Sequence, residues 1–246
     1  MTQSLDLNGA WKIRGFDGQH GQPEGFCGDG ADERTFLDAI VPGTVHMDLE
    51  RSGQIEDVNI GPNVQKARWV EEQVWVYRKR FNAPHEALGQ SAWLVFDGLD
   101  LYAQVYLNGE KIGSHENSFT PLRINVTGKL KEGENLIAVR IESGLYAVSE
   151  LPGMGYQPAL DHQLHKRSWL RKPQCSFSWD WSPRLVNVGL CKPVRLEWTE
   201  SARIDSVTVY PTLAEDHKQA TLHAVVFVES VMPEQTQATL KVRIPE

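Results

Sequence analysis

Cysteine is scarce in this chain: Cys27, Cys175 and Cys191 are the only three in 246 residues. An odd count without metal-ligand spacing fits reduced thiols and excludes a disulfide scaffold or a zinc ribbon. A disulfide between Cys175 and Cys191 is not expected. Basic charge is also short, since 25 Lys and Arg stand against 32 Asp and Glu and leave a net charge of −7. Nucleic-acid binders carry a basic stripe, so that class is excluded. No apolar run approaches the length of a membrane span. The opening residues, MTQSLDLNGAWKI, have neither a basic start nor an apolar core, and the expected location is cytoplasmic. A phosphate-binding loop, a Gly-rich dinucleotide fingerprint and zinc spacing are all missing, so no cofactor and no metal are expected. Sustained helical periodicity is absent from residues 1–140.

What the chain has in excess is tryptophan, eight in all. Indole rings bury large areas and also stack on the flat faces of sugars, which suits both a core and a carbohydrate site. Two of the eight fall in residues 171–197, the stretch around which the rest is organised. There Cys175, Phe177, Trp179 and Trp181 alternate with Ser176, Ser178, Asp180 and Ser182. A period of two predicts a β-strand with an aromatic face and a small polar face, ending at Pro183. Asp180 is the lone carboxylate between two indoles. By itself this pattern reads either as a core strand with an incidental acid or as a surface shaped for something polar and flat.

Strand patterns continue along the chain. Residues 5–14, 74–81, 92–99, 101–107, 111–115, 122–126, 135–141 and 193–198 read as strands, and 44–52 as one short helix capped by Thr44. Asn108-Gly109, directly after a clean alternation, is a strong hairpin signal because both central turn positions need positive φ. Residues 143–166 read as a long loop. His162 and His165 in that loop, and His46 in the helix, have no third metal ligand in sight and are expected to be structural or solvated. Glu71-Glu72 reads as a solvated charge pair, and Asp97 and Asp100 as turn-forming residues around Gly98.

After a polar linker near residue 200, residues 204–209, 222–228 and 238–244 read as three further strands. The expected fold class is therefore all-β: a jelly-roll, galactose-binding-like sandwich over residues 1–199, then a partial immunoglobulin-like sandwich over 200–246. A complete sandwich of that second kind takes about 100 residues and seven strands, so the chain is expected to be the N-terminal portion of a longer protein.

Several segments together carry a family resemblance: Val41-Pro42-Gly43-Thr44-Val45-His46, Arg68-Trp69, Trp75-Val76-Tyr77-Arg78, Phe96-Asp97-Gly98-Leu99-Asp100, Val105-Tyr106-Leu107-Asn108-Gly109, and Trp179-Asp180-Trp181 with Pro183-Arg184. In this order they resemble the N-terminal part of glycoside hydrolase family 2, the β-mannosidase branch most of all. The resemblance implies a jelly roll that precedes an immunoglobulin-like domain and a catalytic (β/α)8 barrel of the same parent chain. It also implies retaining hydrolysis of a terminal β-mannoside or mannose-containing oligosaccharide. Such chemistry takes two carboxyls about 5–5.5 Å apart, which the barrel supplies; none in this chain is expected to be catalytic.

The jelly roll in such enzymes contributes a wall of the sugar pocket. The residue at Asp180 is implied to accept hydrogen bonds from sugar hydroxyls, for which an ionised carboxylate is well suited. Trp179 and Trp181 either anchor the strand in the sandwich or border the pocket, and Asn63 is a further candidate contact. Arg184 either holds the loop or pairs with Asp180. Where such enzymes often have Asn-Glu and Gly, this chain has Asn63-Val64 and Ser182, which bears on the exact sugar. Other functions compatible with the sequence are a stand-alone lectin-like module and a related exo-glycosidase acting on galactosides, glucuronides or glucosaminides.

Overall fold

The computed structural model describes residues 2–17, 22–152, 166–231 and 239–243. In chain order the elements are β1 (Gln3–Asp6), β2 (Gly9–Phe16), β3 (Leu37–Val41), α1 (Val45–Arg51), α2 (Asn63–Lys66), β4 (Val74–Asn82), α3 (His85–Leu88), β5 (Ser91–Phe96), β6 (Tyr102–Leu107), β7 (Glu110–His115), β8 (Leu122–Asn125), β9 (Glu134–Glu142), β10 (Val194–Thr199), β11 (Ala202–Leu213) and β12 (Ala220–Ser230). Two antiparallel sheets carry the main core, one ordered β3-β2-β4-β9-β6-β7 and the other β1-β10-β5-β8. Their inward side chains, among them Trp11, Ile13, Trp75, Tyr77, Leu94, Phe96, Val105, Val139 and Leu196, form one buried cluster. This is the all-β sandwich expected from the alternation.

The span read as one strand over residues 5–14 is two. β1 ends at Asp6, and Gly9, at φ +85°, starts β2 in the opposite sheet. The chain thus crosses from one layer to the other in two residues, a conformation glycine adopts without a Cβ penalty. The outer face of the six-stranded sheet is covered as well. Phe16, Cys27, Phe36, Val76, Tyr106 and Ala138 form a second cluster there, and the buried Arg78 guanidinium donates to the Gly28 carbonyl at 2.8 Å and to Glu33 at 3.0 Å.

Helix α1 forms where expected, with Thr44 Oγ1 accepting from the Met47 amide. The Asn108-Gly109 turn has φ +52° and +87°, and Asn108 Oδ1 accepts from Leu136 N at 3.0 Å. Strands β11 and β12 pair only with each other and make a long ribbon. They answer the first two strands expected after residue 200. The third does not form over 239–243, which carry no strand; the remainder of 238–244 lies outside the described residues. Among the described residues no helix is long and apolar enough to cross a membrane.

Candidate functional site

The segment with alternating aromatics is not a strand. Gln174–Phe177 is a 3-10 turn, and Ser178 follows with φ +91°. Trp179 and Ser182 then pair across a tight reversal, Trp179 N donating to Ser182 O at 3.0 Å and Ser182 N to Trp179 O at 3.3 Å. Asp180 and Trp181 occupy the corner. The period of two therefore arises from a helical turn joined to a β-turn and not from a pleat. Only Phe177 of the supposed aromatic face is buried, in a cluster with Leu101, Leu145, Val148, Leu170 and Val186. Trp179 and Trp181 are 44% and 74% exposed and do not anchor the sandwich. Their rings lie 5.5 Å apart at 49°, and the Arg167 guanidinium sits 5.8 Å from the Trp179 ring.

Asp180 is exposed at the tip of this reversal and makes no hydrogen bond or ion pair among the described residues. Its carboxylate is open to an incoming donor, and indoles stand on both sides in sequence. The base of the excursion is held firmly. Leu185 N donates to Ser176 O at 2.9 Å. Gln174 Nε2 donates to the carbonyls of Arg167, Leu170 and Lys172 at 3.0, 3.3 and 3.2 Å.

Two buried ion pairs tie the excursion to the sandwich. Arg184 does not pair with Asp180. Its Nε and Nη2 both meet Glu71 Oε1, at 2.8 and 2.7 Å, and Arg68 adds a longer contact at 3.7 Å. Glu71 is 2% exposed, so the expectation of a solvated pair fails for it; Glu72 alone is exposed. The second pair is Lys172 with Asp100, 3.1 Å apart. Lys172 Nζ also donates to Asn187 O at 2.7 Å and Ser143 O at 3.3 Å. Asp100 is thus a buried ion partner, whereas Asp97 pairs at the surface with Arg195 at 2.6 Å. Burial raises the Asp100 pKa and lowers that of Lys172, each partly countered by the other's charge. His46 is buried nearby and pushed down to about 4, by burial first and the Lys172 charge second.

Asn63 opens α2, half-buried, and its Nδ2 donates to Asp57 O at 3.1 Å. No hydrogen bond or ion pair joins it to the 179–182 reversal among the described residues. His162 and His165 lie outside the described residues. Among the described residues no group of His, Cys, Asp and Glu could hold a metal ion. All three cysteines are free, Cys27 buried and Cys175 exposed. Glu71, Asp100 and Lys172 were missed as site supports. Arg68 three residues before Glu71 hints at a local pair, but the contact with Arg184 spans 113 positions and no spacing announces it.

Two facing antiparallel sheets define an all-β sandwich, and the exposed, aromatic-flanked carboxylate stands on a loop outside its strands. Residues 11–192 match the glycosyl hydrolase 2 galactose-binding domain-like family, and the chain belongs to it. It is 36% identical over 226 residues to a β-mannosidase B of Emericella nidulans, covering 86% of this chain and 26% of that protein. A β-mannosidase B of Aspergillus fumigatus is 36% identical over 195 residues, covering 78% of this chain and 23% of its own. Among solved structures, a β-D-mannosidase from Dictyoglomus thermophilum superposes with a TM-score of 0.76 at 34% identity, covering 93% of this chain and 26% of that one. An exo-chitosanase from Amycolatopsis orientalis, 17% identical with a TM-score of 0.69 and coverage of 93% and 24%, shares the fold. The chain spans about a quarter of the length of these relatives.

Proposed function

We propose that this chain is the sugar-facing, non-catalytic N-terminal part of an exo-acting β-mannosidase, with a domain boundary near residue 200. Asp180 reaches from it toward the mouth of a (β/α)8 barrel and accepts hydrogen bonds from hydroxyls of a terminal β-mannosyl residue. The observation that carries this reading is the open carboxylate of Asp180 at the corner of a braced reversal, between two exposed indoles. A carboxylate accepts several hydroxyl donors at once, and charge-assisted bonds exceed neutral ones in strength. Trp179 and Trp181 offer apolar faces to a sugar ring or to the partner barrel. The names of the most similar relatives support the mannoside class, and their greater length supports a barrel on the same polypeptide. The catalytic carboxyl pair of a retaining hydrolase belongs to that barrel in this reading.

The test is Asp180→Ala in the full-length gene product, assayed with an aryl β-mannoside. Loss of a charge-assisted bond strengthened in the transition state lowers kcat/KM by the equivalent of about 2–4 kcal/mol. Unchanged kinetics would refute the role. The same exposed carboxylate between indoles is also what a free-standing lectin would present. Micromolar affinity of the 246-residue chain alone for mannosides, by calorimetry, would favour that second reading.

A further inference from the structure

The reversal that carries Asp180 has no strand to hold it, so something else must fix where the carboxylate points. Glu71 lies in a 3-10 turn, Arg68–Glu72, that is itself bound to the sandwich. Ser143 Oγ donates to Glu71 O at 2.7 Å, Trp75 Nε1 donates to Val70 O at 3.0 Å, and Val70 is fully buried. The Glu71 carboxylate is therefore a stationary anchor. Arg184 meets it with two nitrogens at 2.8 and 2.7 Å, while its guanidinium lies 5.5 Å from the ring of the buried Phe177. Only Pro183 separates Arg184 from Ser182, the residue that closes the reversal on Trp179. Proline fixes its own φ, so the link is short and stiff.

From this geometry we propose that Glu71 and Arg184 are positioning residues that set the orientation of Asp180 through Pro183. The proposal rests on the reading of Asp180 as a sugar contact. Its mechanism is electrostatic. A guanidinium stays charged at any working pH, and one that loses its two short contacts to the anchored Glu71 carboxylate shifts from its place. Residues 182–184 travel with it, and the corner holding Asp180 loses its fixed place.

Two measurements test this. In the 246-residue chain, hydrogen exchange of the Trp179 and Ser182 amides should rise roughly tenfold or more in Glu71→Gln, while amides of β4 and β9 keep their protection. Arg184→Lys retains the charge but loses the fork, and should give a smaller rise. In the full-length gene product, Glu71→Gln should lower kcat/KM on an aryl β-mannoside roughly tenfold, yet add nothing when Asp180→Ala is already present, because the two changes act on one contact. Unaltered exchange at the reversal would overturn the proposal. Equal loosening of β4 and β9 would overturn it too, making the pair a general support of the fold, as would additive losses in the double variant. If Asp180→Ala alone leaves the kinetics intact, the sugar-contact reading fails, and the exchange data still decide whether Glu71 and Arg184 hold the reversal.

Discussion

Lys172 Nζ stands 3.1 Å from Asp100 Oδ1, and both side chains are withdrawn almost completely from water. Desolvation works against both charges here, and their mutual attraction offsets it. Removing one partner leaves the other charge buried and alone, which costs about 3–5 kcal/mol. Lys172→Met should therefore lower the urea midpoint sharply. Lys172→Met combined with Asp100→Leu should recover most of the loss. A double variant no more stable than the single one would show that the pair's carbonyl contacts, not its charges, carry the effect.

His46 makes one contribution to the pH dependence of stability, opposed by the raised carboxyls of Asp48, Asp100 and Glu142. The histidine's ordinary value of 6.5 falls to about 4 in the folded chain. Between those values the unfolded chain takes up a proton that the native histidine refuses. The contribution to stability is thus complete above pH 6.5 and is lost as the pH falls toward 4. The gap corresponds to about 3 kcal/mol. Denaturation in urea at a series of pH values should show a less positive slope in His46→Gln than in the parent chain. Identical slopes would remove His46 as a source.

Phe177 and Trp181 have the same parity in sequence yet opposite surroundings. Phe177→Ala should cost about 3–5 kcal/mol, because it empties a buried ring site. Trp181→Ala should stay within about 0.5 kcal/mol, as exposed positions do. Thermal melts of the two variants check this directly, and similar losses in both would reinstate a pleated strand through residues 175–181.

Gly189 has φ +153°, and a Cβ there would stand 2.7 Å from Gly43 O and 2.9 Å from Thr44 Cα. Its N–H and C=O both pair with Asp100, at 2.9 Å each. Gly189→Ala should cost about 1–3 kcal/mol by overpacking against backbone, read as a lower urea midpoint. No change would mean that the 43–44 turn yields without penalty.

Much of the sandwich was legible because its strands obey local rules. Residues 101–107 alternate cleanly, Asn108-Gly109 supplies the turn, and Thr44 caps the one helix anticipated. Legibility failed where local pattern and geometry part. The alternation at 175–181 is real, but Ser178 at positive φ breaks any pleat. Residues 5–14 look continuous, since the two halves face the same core from opposite sheets. In the candidate site, Asp180 and its indoles were visible as residue types. Their exposure, and the long-range partners Glu71, Arg184, Lys172 and Asp100, depend on topology that no spacing encodes. Asn63 stood out by resemblance alone, and its amide is occupied by the Asp57 carbonyl.

Strand β10 lies between β1 and β5, so the first strand of the sandwich finds its neighbour only with Val194–Thr199, Gln3 opposite Trp198. This has a temporal consequence during synthesis. At roughly 5–20 residues per second, the ribosome takes on the order of ten seconds or more to deliver that last insert. Until then β1 and β5 are separated by an open slot, and the backbone edges that each turns toward it wait unpaired. Closure of so distant a pairing is also intrinsically slow. The nascent domain is thus most vulnerable to aggregation just before its tenth strand emerges, and chaperone engagement is expected to peak in that interval.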